Sequence, residues 1–324
     1  MKAIVVDRWM EPADLKVQEA PEPEVTRGML GIDVKAAGVN FFDILLVQGK
    51  YQSKPPFPFI PGGEVAGVVR EVGPEAEGFA VGDRVLGAIP TGGYAGRAVV
   101  PAIAAYKFPE RMSFEQAAGL PIVYPTSYAG LVYRANLQAG ETLLVHAAAG
   151  GVGIAAVQIG KALGATVIGT AGSDDKLERV KKEGADFTIN YKTEDFVQKV
   201  RDMTDGRGAD VIYDPVGGDI LDRSLKCIAW NGRLLVIGFA SGNIPEIKAN
   251  RILLKNISVV GLHWGAYAVN EPQRMPETFD ALFKLYEDGK INPVVYKSYP
   301  LEQLPEALRA LGSRESYGKL VVTP

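Results

Sequence analysis

The sequence predicts an α/β protein in which a doubly wound parallel sheet is joined to a smaller antiparallel β domain. A strand, a glycine-rich turn and a helix follow one another over residues 143–164. Strands and helices then alternate as far as residue 262, which is typical of a parallel sheet. Residues 1–120, by contrast, contain short β-rich segments separated by Gly, Pro and Asp, with few helical signals.

The glycine-rich turn is the most informative part of the chain. After an apolar run, Ala148, Gly150 and Gly153 fill the three positions of a Gly/Ala-x-Gly-x-x-Gly dinucleotide fingerprint. Glycine lets the backbone turn sharply and approach a ligand, and the start of the next helix attracts a pyrophosphate. A second strand (TVIGT) follows Gly164 and completes a β-α-β unit of about 30 residues. The pattern therefore predicts a dinucleotide site.

The end of that second strand bears on the choice of cofactor. NAD sites usually place an Asp or Glu there to bind the ribose 2′-hydroxyl, but this strand ends in Thr-Ala-Gly-Ser. The ammonium of Lys176 and the hydroxyls of Ser173 and Tyr191 are suited to a 2′-phosphate. Asp174 and Asp175 argue for NAD(H), unless they only cap the following helix. The sequence favours NADP(H).

Composition excludes several classes of function. A net charge of −3 argues against nucleic-acid or membrane-surface binding as the main role. No apolar run is long enough to span a bilayer, and the N-terminus lacks the apolar core of a signal peptide, so we expect a cytoplasmic protein. A zinc site needs three or four Cys, His or acidic ligands, and with one cysteine and two histidines the sequence shows no cluster to supply them. Cys227 is predicted to be a buried apolar residue, and His146 a packed, hydrogen-bonded one.

The order of elements predicts the domain boundaries. Ser113 and Gln116 form a capping-box pattern at the start of a helix that Pro121 and Pro125 break. Six strands then form the parallel sheet, the fifth at 233–239. A helix at 276–288 and a final strand, KLVVT, return to the first domain. The predicted domains are 1–120 with 266–324, and 121–265.

Four segments together carry a family resemblance. They read AAGVNFFDILLVQGKY, PGGEVAGVVREVG, VHAAAGGVGIAAVQIGKALGATVIGTAG and SRESYGKLVV. With these segments the chain resembles the zinc-free quinone oxidoreductases, the zeta-crystallin-like branch of the medium-chain dehydrogenase/reductase superfamily. The resemblance implies a GroES-like β domain, a Rossmann domain and an active site in the cleft between them. It also implies no metal, because Gly63-Glu64 stands where zinc enzymes carry His-Glu.

The resemblance also implies roles for individual residues. Asn40, Asp43 and Tyr51 would line the nicotinamide and substrate cleft, with Tyr51 or water as proton donor. The residues expected to contact the cofactor are Thr126, Ala149, Gly150, Gly151, Val152, Gly153, Gly172, Ser173, Lys176, Tyr191, Phe239, Ala240 and Arg314. From the residues alone, Asn40 and Asp43 are also suited to fixing the loop and helix they lie on, and this structural role is favoured for Asp43. Without the motif, a surface ion pair is favoured for Arg314. Leu45 replaces a tyrosine of several relatives, which indicates a more apolar cleft.

The expected reaction is hydride transfer from NADPH to a quinone or an activated alkene. An enoyl-thioester, acryloyl-CoA or alkenal reductase on the same scaffold is an alternative. A redox-inactive, crystallin-like NADPH-binding protein is an alternative of another class, since the fold alone does not fix the function. The resemblance further implies a homodimer joined through the Rossmann domain, with the apolar segment NISVVGL at the edge of the sheet.

Overall fold

A computed structural model describes residues 1–324, which form two compact units. Unit 1 contains Met1–Ile122 and Pro293–Pro324, and unit 2 contains Val123–Asn292. Residues 266–292, which the sequence analysis assigned to the first domain, therefore belong to unit 2. No helix in the structure is long and apolar enough to cross a membrane. The cytoplasmic location stays a prediction.

The different boundary has a physical reason in helix Arg274–Glu287, whose apolar face is buried against unit 2. The Thr278 hydroxyl lies 3.0 Å from the hydroxyl of Tyr133. At the end of the stretch, the backbone N–H of Asn292 donates to Oε1 of Gln158 at 3.0 Å. These contacts depend on side chains far apart in the sequence, so hydrophobic periodicity did not reveal them.

Unit 1 is built mainly on antiparallel β-structure, as predicted, with one parallel strand pair near the C-terminus. Its strands are Lys2–Ile4 (β1), Val17–Glu19 (β2), Met29–Val39 (β3), Glu64–Val72 (β4), Arg84–Ala88 (β5), Arg97–Pro101 (β6), Ala105–Lys107 (β7), Val295–Pro300 (β14) and Lys319–Thr323 (β15). The main sheet has the order β14-β15-β3-β4-β5-β7, β6 also pairs with β3, and β1 pairs with β2. The final strand thus lies beside β3, so residues near positions 40 and 319 are neighbours.

Three helices complete unit 1: Phe41–Val47 (α1), Phe114–Ala118 (α2) and Leu304–Gly312 (α11). The backbone N–H of Asn40 donates to Oδ2 of Asp43 at 2.8 Å, so Asp43 forms one half of a capping box at the start of α1. Helix α2 begins after Ser113 with the complete predicted capping box.

Unit 2 contains the predicted parallel sheet of six strands. They are Thr142–Val145 (β8), Thr166–Ala171 (β9), Phe187–Asn190 (β10), Ala209–Asp214 (β11), Ile228–Val236 (β12) and Ser258–Gly261 (β13). Their order, β10-β9-β8-β11-β12-β13, is the doubly wound order of a Rossmann domain. The change of direction falls between β8 and β11. In such sheets ligands bind at the carboxyl ends of the strands near that point.

Helices cover the sheet of unit 2. They are Val123–Tyr128 (α3), Gly151–Ala162 (α4), Asp174–Lys182 (α5), Phe196–Met203 (α6), Gly218–Cys227 (α7), Ala249–Lys255 (α8), Tyr267–Asn270 (α9) and Arg274–Glu287 (α10). A π-helical turn, Ala129–Arg134, continues α3. Five buried side chains from adjacent strands form part of the core on one side: Leu144, Ile168, Ile189, Ile212 and Leu234.

Two local predictions were wrong. Pro125 does not break a helix but is the third residue of α3, where a missing N–H is harmless because the first turn has no internal acceptor for it. Strand β12 begins at Ile228, five residues before the predicted start, because Ile228 already pairs with Ala209. Asn231 adopts a positive φ of 61° within this strand, and its polar side chain concealed the strand signal in the sequence.

Candidate active site

The glycine turn joins β8 to α4 as the fingerprint predicts. Gly150 is the N-cap of α4 and has no side chain to accept from the N–H groups of the first turn. A Cβ at Gly153 would collide with the carbonyl oxygen of Ala147 and would lie 2.7 Å from Cα of Ala148. Ala147 itself has a positive φ of 47°. The helix therefore starts directly on the turn and presents N–H donors and a positive dipole end to an anion.

The end of β9 presents hydroxyl and ammonium groups around Gly172. A Cβ at Gly172 would lie 2.7 Å from the Tyr191 hydroxyl and 3.2 Å from Cε of Lys192. Gly172 is therefore covered by both side chains, and a larger residue would displace them. Lys192 is exposed and forms no ion pair in the structure. No sequence motif indicated Lys192, although it directly follows Tyr191.

The carboxylates near this position are engaged elsewhere. Oδ1 of Asp174 accepts a hydrogen bond of 2.8 Å from the side-chain amide of Asn190. A hydrogen bond from Ser173 lowers the pKa of Asp175, and the backbone near Lys176 adds to that shift. Ser173 is the N-cap of α5. The two acids thus stabilise the start of α5, which is one of the two interpretations that the sequence left open.

The loops after β11 and β12 lie at the same carboxyl edge of the sheet. Oδ1 of Asp214 accepts from the N–H groups of Val216 (2.8 Å) and Gly217 (3.0 Å), and burial raises the pKa of this carboxyl group. The N–H of Ala240 donates to the carbonyl of Pro215 at 3.0 Å. Phe239 is 41% exposed beside Gly217. The structure thus brings Phe239 and Ala240 to the edge that carries the glycine turn.

Thr126 lies on α3, and its neighbour Ser127 connects that helix to the glycine turn. The Ser127 hydroxyl donates to the carbonyl of Val152 at 2.9 Å and lies 2.9 Å from the Tyr213 hydroxyl. All three groups are at least partly buried. Ser127 therefore fixes the first turn of α4, a role that no sequence motif indicated.

His146 and Cys227 have the structural roles predicted for them. The two ring nitrogens of His146 lie 3.1 Å from the Thr170 hydroxyl and 2.8 Å from the Ser224 hydroxyl. Burial lowers the pKa of His146 to about 3, so the ring is neutral at physiological pH. Burial raises the pKa of the Cys227 thiol to about 12. Neither group is suited to acid–base or nucleophilic chemistry.

In unit 1, Asn40 belongs to a buried polar network with Glu64 and Lys319. The Lys319 ammonium donates to Oδ1 of Asn40 (2.8 Å) and to the carbonyl of Val39 (2.8 Å), and lies 2.7 Å from Oε1 of Glu64. The amide nitrogen of Asn40 donates to the same Oε1 at 2.8 Å. Oε2 of Glu64 accepts from the N–H of Ile122 at 3.0 Å. The side chains of Lys319 and Glu64 are only 5% and 0% exposed.

Asp43 lies beside this network, fully buried. Its Oδ2 accepts from the N–H of Asn40 and, at 2.6 Å, from the Tyr94 hydroxyl, while its Oδ1 has no partner. Burial raises the pKa of Asp43 to about 7, against the opposing effect of its hydrogen bonds with Tyr94 and Asn40. Burial also raises the pKa of Tyr94. A carboxyl group enclosed in this way positions α1 and has no access to a substrate.

Tyr51 differs from Asn40 and Asp43 in being only partly buried. Its ring packs against Phe42, with the ring centroids 5.4 Å apart, and its backbone N–H donates to the carbonyl of Leu45 at 3.1 Å. No protein group bonds the Tyr51 hydroxyl in the structure. Arg314, also in unit 1, follows α11 with a positive φ of 58°. Its role at the cofactor stays a prediction.

Two further features bear on where a ligand binds. No group of three or more His, Cys, Asp or Glu side chains in the structure is arranged to hold a metal ion. A pocket of about 230 Å³ in unit 2 is lined by Arg134, His263 and Tyr267, among others, and by none of the predicted site residues. The residues predicted to form the site therefore lie outside this pocket.

Comparison with known proteins identifies the family. Residues 26–110 match the alcohol dehydrogenase GroES-like domain, and residues 151–284 match the zinc-binding dehydrogenase family. The chain is 46% identical over 294 residues to a quinone oxidoreductase-like protein 2 homolog of Nematostella vectensis, covering 90% of this chain and 80% of that protein. This chain belongs to the quinone oxidoreductase branch of the medium-chain dehydrogenase/reductase superfamily.

Solved structures agree with this assignment. The Escherichia coli quinone oxidoreductase complexed with NADPH superimposes with a TM-score of 0.92, at 32% identity and over 100% of both chains. A mycobacterial protein complexed with NADPH gives a TM-score of 0.91, at 33% identity and over 100% of both chains. These comparisons confirm the predicted combination of a GroES-like and a Rossmann domain. They support an oxidoreductase that uses NADPH.

Proposed function

We propose that this protein is a quinone oxidoreductase that uses NADPH and works without a bound metal ion. The quinone as acceptor is supported by the similarity to quinone oxidoreductases. The observation that carries the choice of NADPH is the end of β9, where no free carboxylate faces Gly172 and where a tyrosine hydroxyl and a lysine side chain cover it. An acid at this position is what NAD sites use to bind the ribose 2′-hydroxyl. Hydroxyl and ammonium groups favour the 2′-phosphate of NADP(H) instead.

The residues of unit 2 fit such a cofactor. The first turn of α4, at Gly151, Val152 and Gly153, would hold the pyrophosphate through backbone N–H groups. Ser173, Lys176, Tyr191 and Lys192 would hold the 2′-phosphate. The remaining predicted contacts are those of Thr126, Ala149, Phe239, Ala240 and Arg314. When bound, NADPH supplies a hydride from C4 of its nicotinamide.

The residues of unit 1 would act on the acceptor. A quinone that receives a hydride develops negative charge on one oxygen, which hydrogen-bond donors stabilise. Asn40 has one amide hydrogen that the protein does not use, and the Tyr51 hydroxyl is unpaired. One proton then completes the hydroquinone, and it comes from Tyr51 or from water. Hydride and proton together balance the two-electron reduction.

The proposed independence of metal rests on the ligand set and on the charges already present. Gly63 cannot act as a metal ligand through a side chain, and the carboxylate of its neighbour Glu64 is already paired with the Lys319 ammonium. A zinc site needs three or four Cys, His or acidic ligands, and unit 1 contains no Cys or His. We expect full activity after dialysis against a chelator.

The direct test is NADPH oxidation, followed by absorbance, with separate panels of quinones, alkenals and enoyl thioesters. We expect turnover with quinones and at least ten-fold lower kcat/KM with NADH. Turnover only with alkenals or enoyl thioesters would overturn the quinone assignment. Tight NADPH binding without turnover of any acceptor would instead support the redox-inactive alternative.

We also propose that two copies of the chain pair through β13. This strand ends the sheet of unit 2, so its outer edge has no partner within the chain. Leu253 and Leu254 on the preceding helix are 77% and 70% exposed. An open edge with apolar neighbours is suited to pairing with a second sheet. Light scattering at micromolar protein should give twice the chain mass of 34.7 kDa, and a monomer mass would reject the dimer.

A further inference from the structure

The carboxamide of Asn40 is held from both ends by buried charges. Its oxygen accepts from the Lys319 ammonium at 2.8 Å, and its nitrogen donates to Oε1 of Glu64 at 2.8 Å. Asn40 is 7% exposed. An ammonium has only donors and a carboxylate only acceptors, so the two charges together permit one orientation of the amide and oppose the flipped one.

In this orientation the carboxamide has one hydrogen left. An amide nitrogen carries two hydrogens, and Glu64 accepts one of them. The oxygen is committed to Lys319. Asn40 can therefore donate this hydrogen to a ligand. That property matches the need for a donor at a developing oxyanion.

Glu64 packs so closely against Gly38 that no side chain fits at that position. A Cβ at Gly38 would collide with Oε1 of Glu64 and lie 2.5 Å from the carbonyl oxygen of Ala118. Oε2 of Glu64 is fixed by the N–H of Ile122 at 3.0 Å. Glu64 therefore has little freedom to move, and it fixes the nitrogen end of the amide while Lys319 fixes the oxygen end.

We propose that Lys319 is a positioning residue for quinone reduction: with Glu64 it locks the Asn40 carboxamide so that its remaining N–H hydrogen is presented to the acceptor oxygen. The inference rests on the proposed function. It goes further by giving the C-terminal strand β15 a part in the chemistry. Lys319 itself does not touch the substrate and acts through Asn40.

A double-mutant cycle tests this inference. The variants are Lys319→Met, Asn40→Ala and the two together, with kcat and KM measured for a quinone such as 1,4-benzoquinone. We expect Lys319→Met to lower kcat at least ten-fold in the wild-type background and less than three-fold in the Asn40→Ala background. Groups that act through one another are non-additive in this way. Lys319→Arg, which keeps an N–H donor, should restore part of kcat.

Two measurements separate positioning from general damage. NADPH affinity of the Lys319→Met variant, measured by fluorescence, should stay within two-fold of wild type. In ¹⁵N-asparagine-labelled protein without cofactor, the two Asn40 amide protons should exchange with solvent at least ten-fold faster in this variant. Lys107→Met, which removes the exposed ion pair with Asp83, is the control and should change none of these quantities. If Lys319→Met does not fold, Glu64→Gln serves in its place.

The outcomes distinguish the inference from the proposed function. If the two substitutions lower kcat independently, so that the double variant loses the product of the two single losses, the positioning role is overturned. Unchanged exchange of the Asn40 amide protons would overturn it as well. Either result leaves the proposed quinone oxidoreductase activity intact. Wild-type protein that reduces no quinone would overturn the proposed function, and this inference with it.

Discussion

The two units differ in how they hold the residues that we propose to act on the cofactor and on the acceptor. In unit 2 the anion site comes from backbone: a glycine N-cap, a helix start and a turn packed too tightly for a Cβ at Gly153. In unit 1 the proposed hydrogen-bond donor, Asn40, is held by charged side chains that are buried with it, and Lys319 contacts both Asn40 and Glu64. The glycine turn requires that no Cβ fills the space around it. The network of Asn40, Glu64 and Lys319 requires that its buried charges stay paired. Substitutions in the two units should therefore fail in different ways.

The largest effect is expected from removing one charge of the buried pair. Glu64→Ala leaves the Lys319 ammonium unpaired in the interior, and breaking a buried pair typically costs about 3–5 kcal/mol. The measurement is the free energy of unfolding in urea. Lys107→Met removes an exposed pair and should cost less than about 1 kcal/mol. Equal losses in the two variants would contradict the role given to burial.

A substitution in the glycine turn should remove cofactor binding. A Cβ at Gly153 meets the backbone of Ala147 and Ala148, which cannot move aside as a flexible side chain does. For Gly153→Val we expect NADPH affinity to fall more than about 100-fold, equivalent to about 2.7 kcal/mol. Gly265→Val, whose Cβ would meet nothing nearer than the His263 ring nitrogen at 3.8 Å, is the matched control. Unchanged affinity in Gly153→Val would show that the turn does not hold the cofactor.

Asp43 should make stability depend on pH. Because the pKa of Asp43 is raised to about 7 from 3.8, the folded protein binds a proton that the unfolded chain has lost at pH 5–6.5. The stability that Asp43 gains from binding this proton is fully present below pH 3.8, and it is lost as the pH rises through about 7. The charges that face the group are those of Lys319 and Glu64.

Asp43→Asn should reduce the loss of unfolding free energy between pH 5 and 6.5 by about 2 kcal/mol, at about 1.4 kcal/mol per pH unit for one proton. Urea unfolding at several pH values measures it. Asp7→Asn, at an exposed position, should leave the pH slope as it is in wild type. An identical slope in the Asp43→Asn variant would refute the assignment.

The smallest effect concerns the discrimination between NADPH and NADH. Lys192→Gln should weaken NADPH binding about ten-fold, or about 1.4 kcal/mol, and leave NADH binding unchanged, because only NADPH carries the 2′-phosphate. Binding of 2′,5′-ADP, measured by calorimetry, isolates the phosphate contact. Lys182→Gln, an exposed lysine on α5, is the control for net charge. Parallel weakening of NADPH and NADH would exclude a specific contact.

The sequence was most informative where local motifs determine structure. The fingerprint at Gly150 and Gly153 located the turn, and hydrophobic periodicity located all six parallel strands. Lys319, Glu64 and Tyr94 were not recognised as one network, because the fold brings together residues 24 to 279 positions apart. The placement of residues 266–292 failed for the same reason. Motifs report local backbone geometry, whereas buried charge networks depend on tertiary contacts.

A single variant can test the proposal that unit 2 binds NADPH while Asn40 in unit 1 acts on the quinone. For Asn40→Ala we would measure NADPH affinity and kcat for quinone reduction on the same preparation. The account predicts an affinity within two-fold of wild type and a kcat at least ten-fold lower, since unit 2 binds the cofactor and Asn40 acts on the acceptor. An unchanged kcat, or an affinity that falls as far as kcat does, would contradict it.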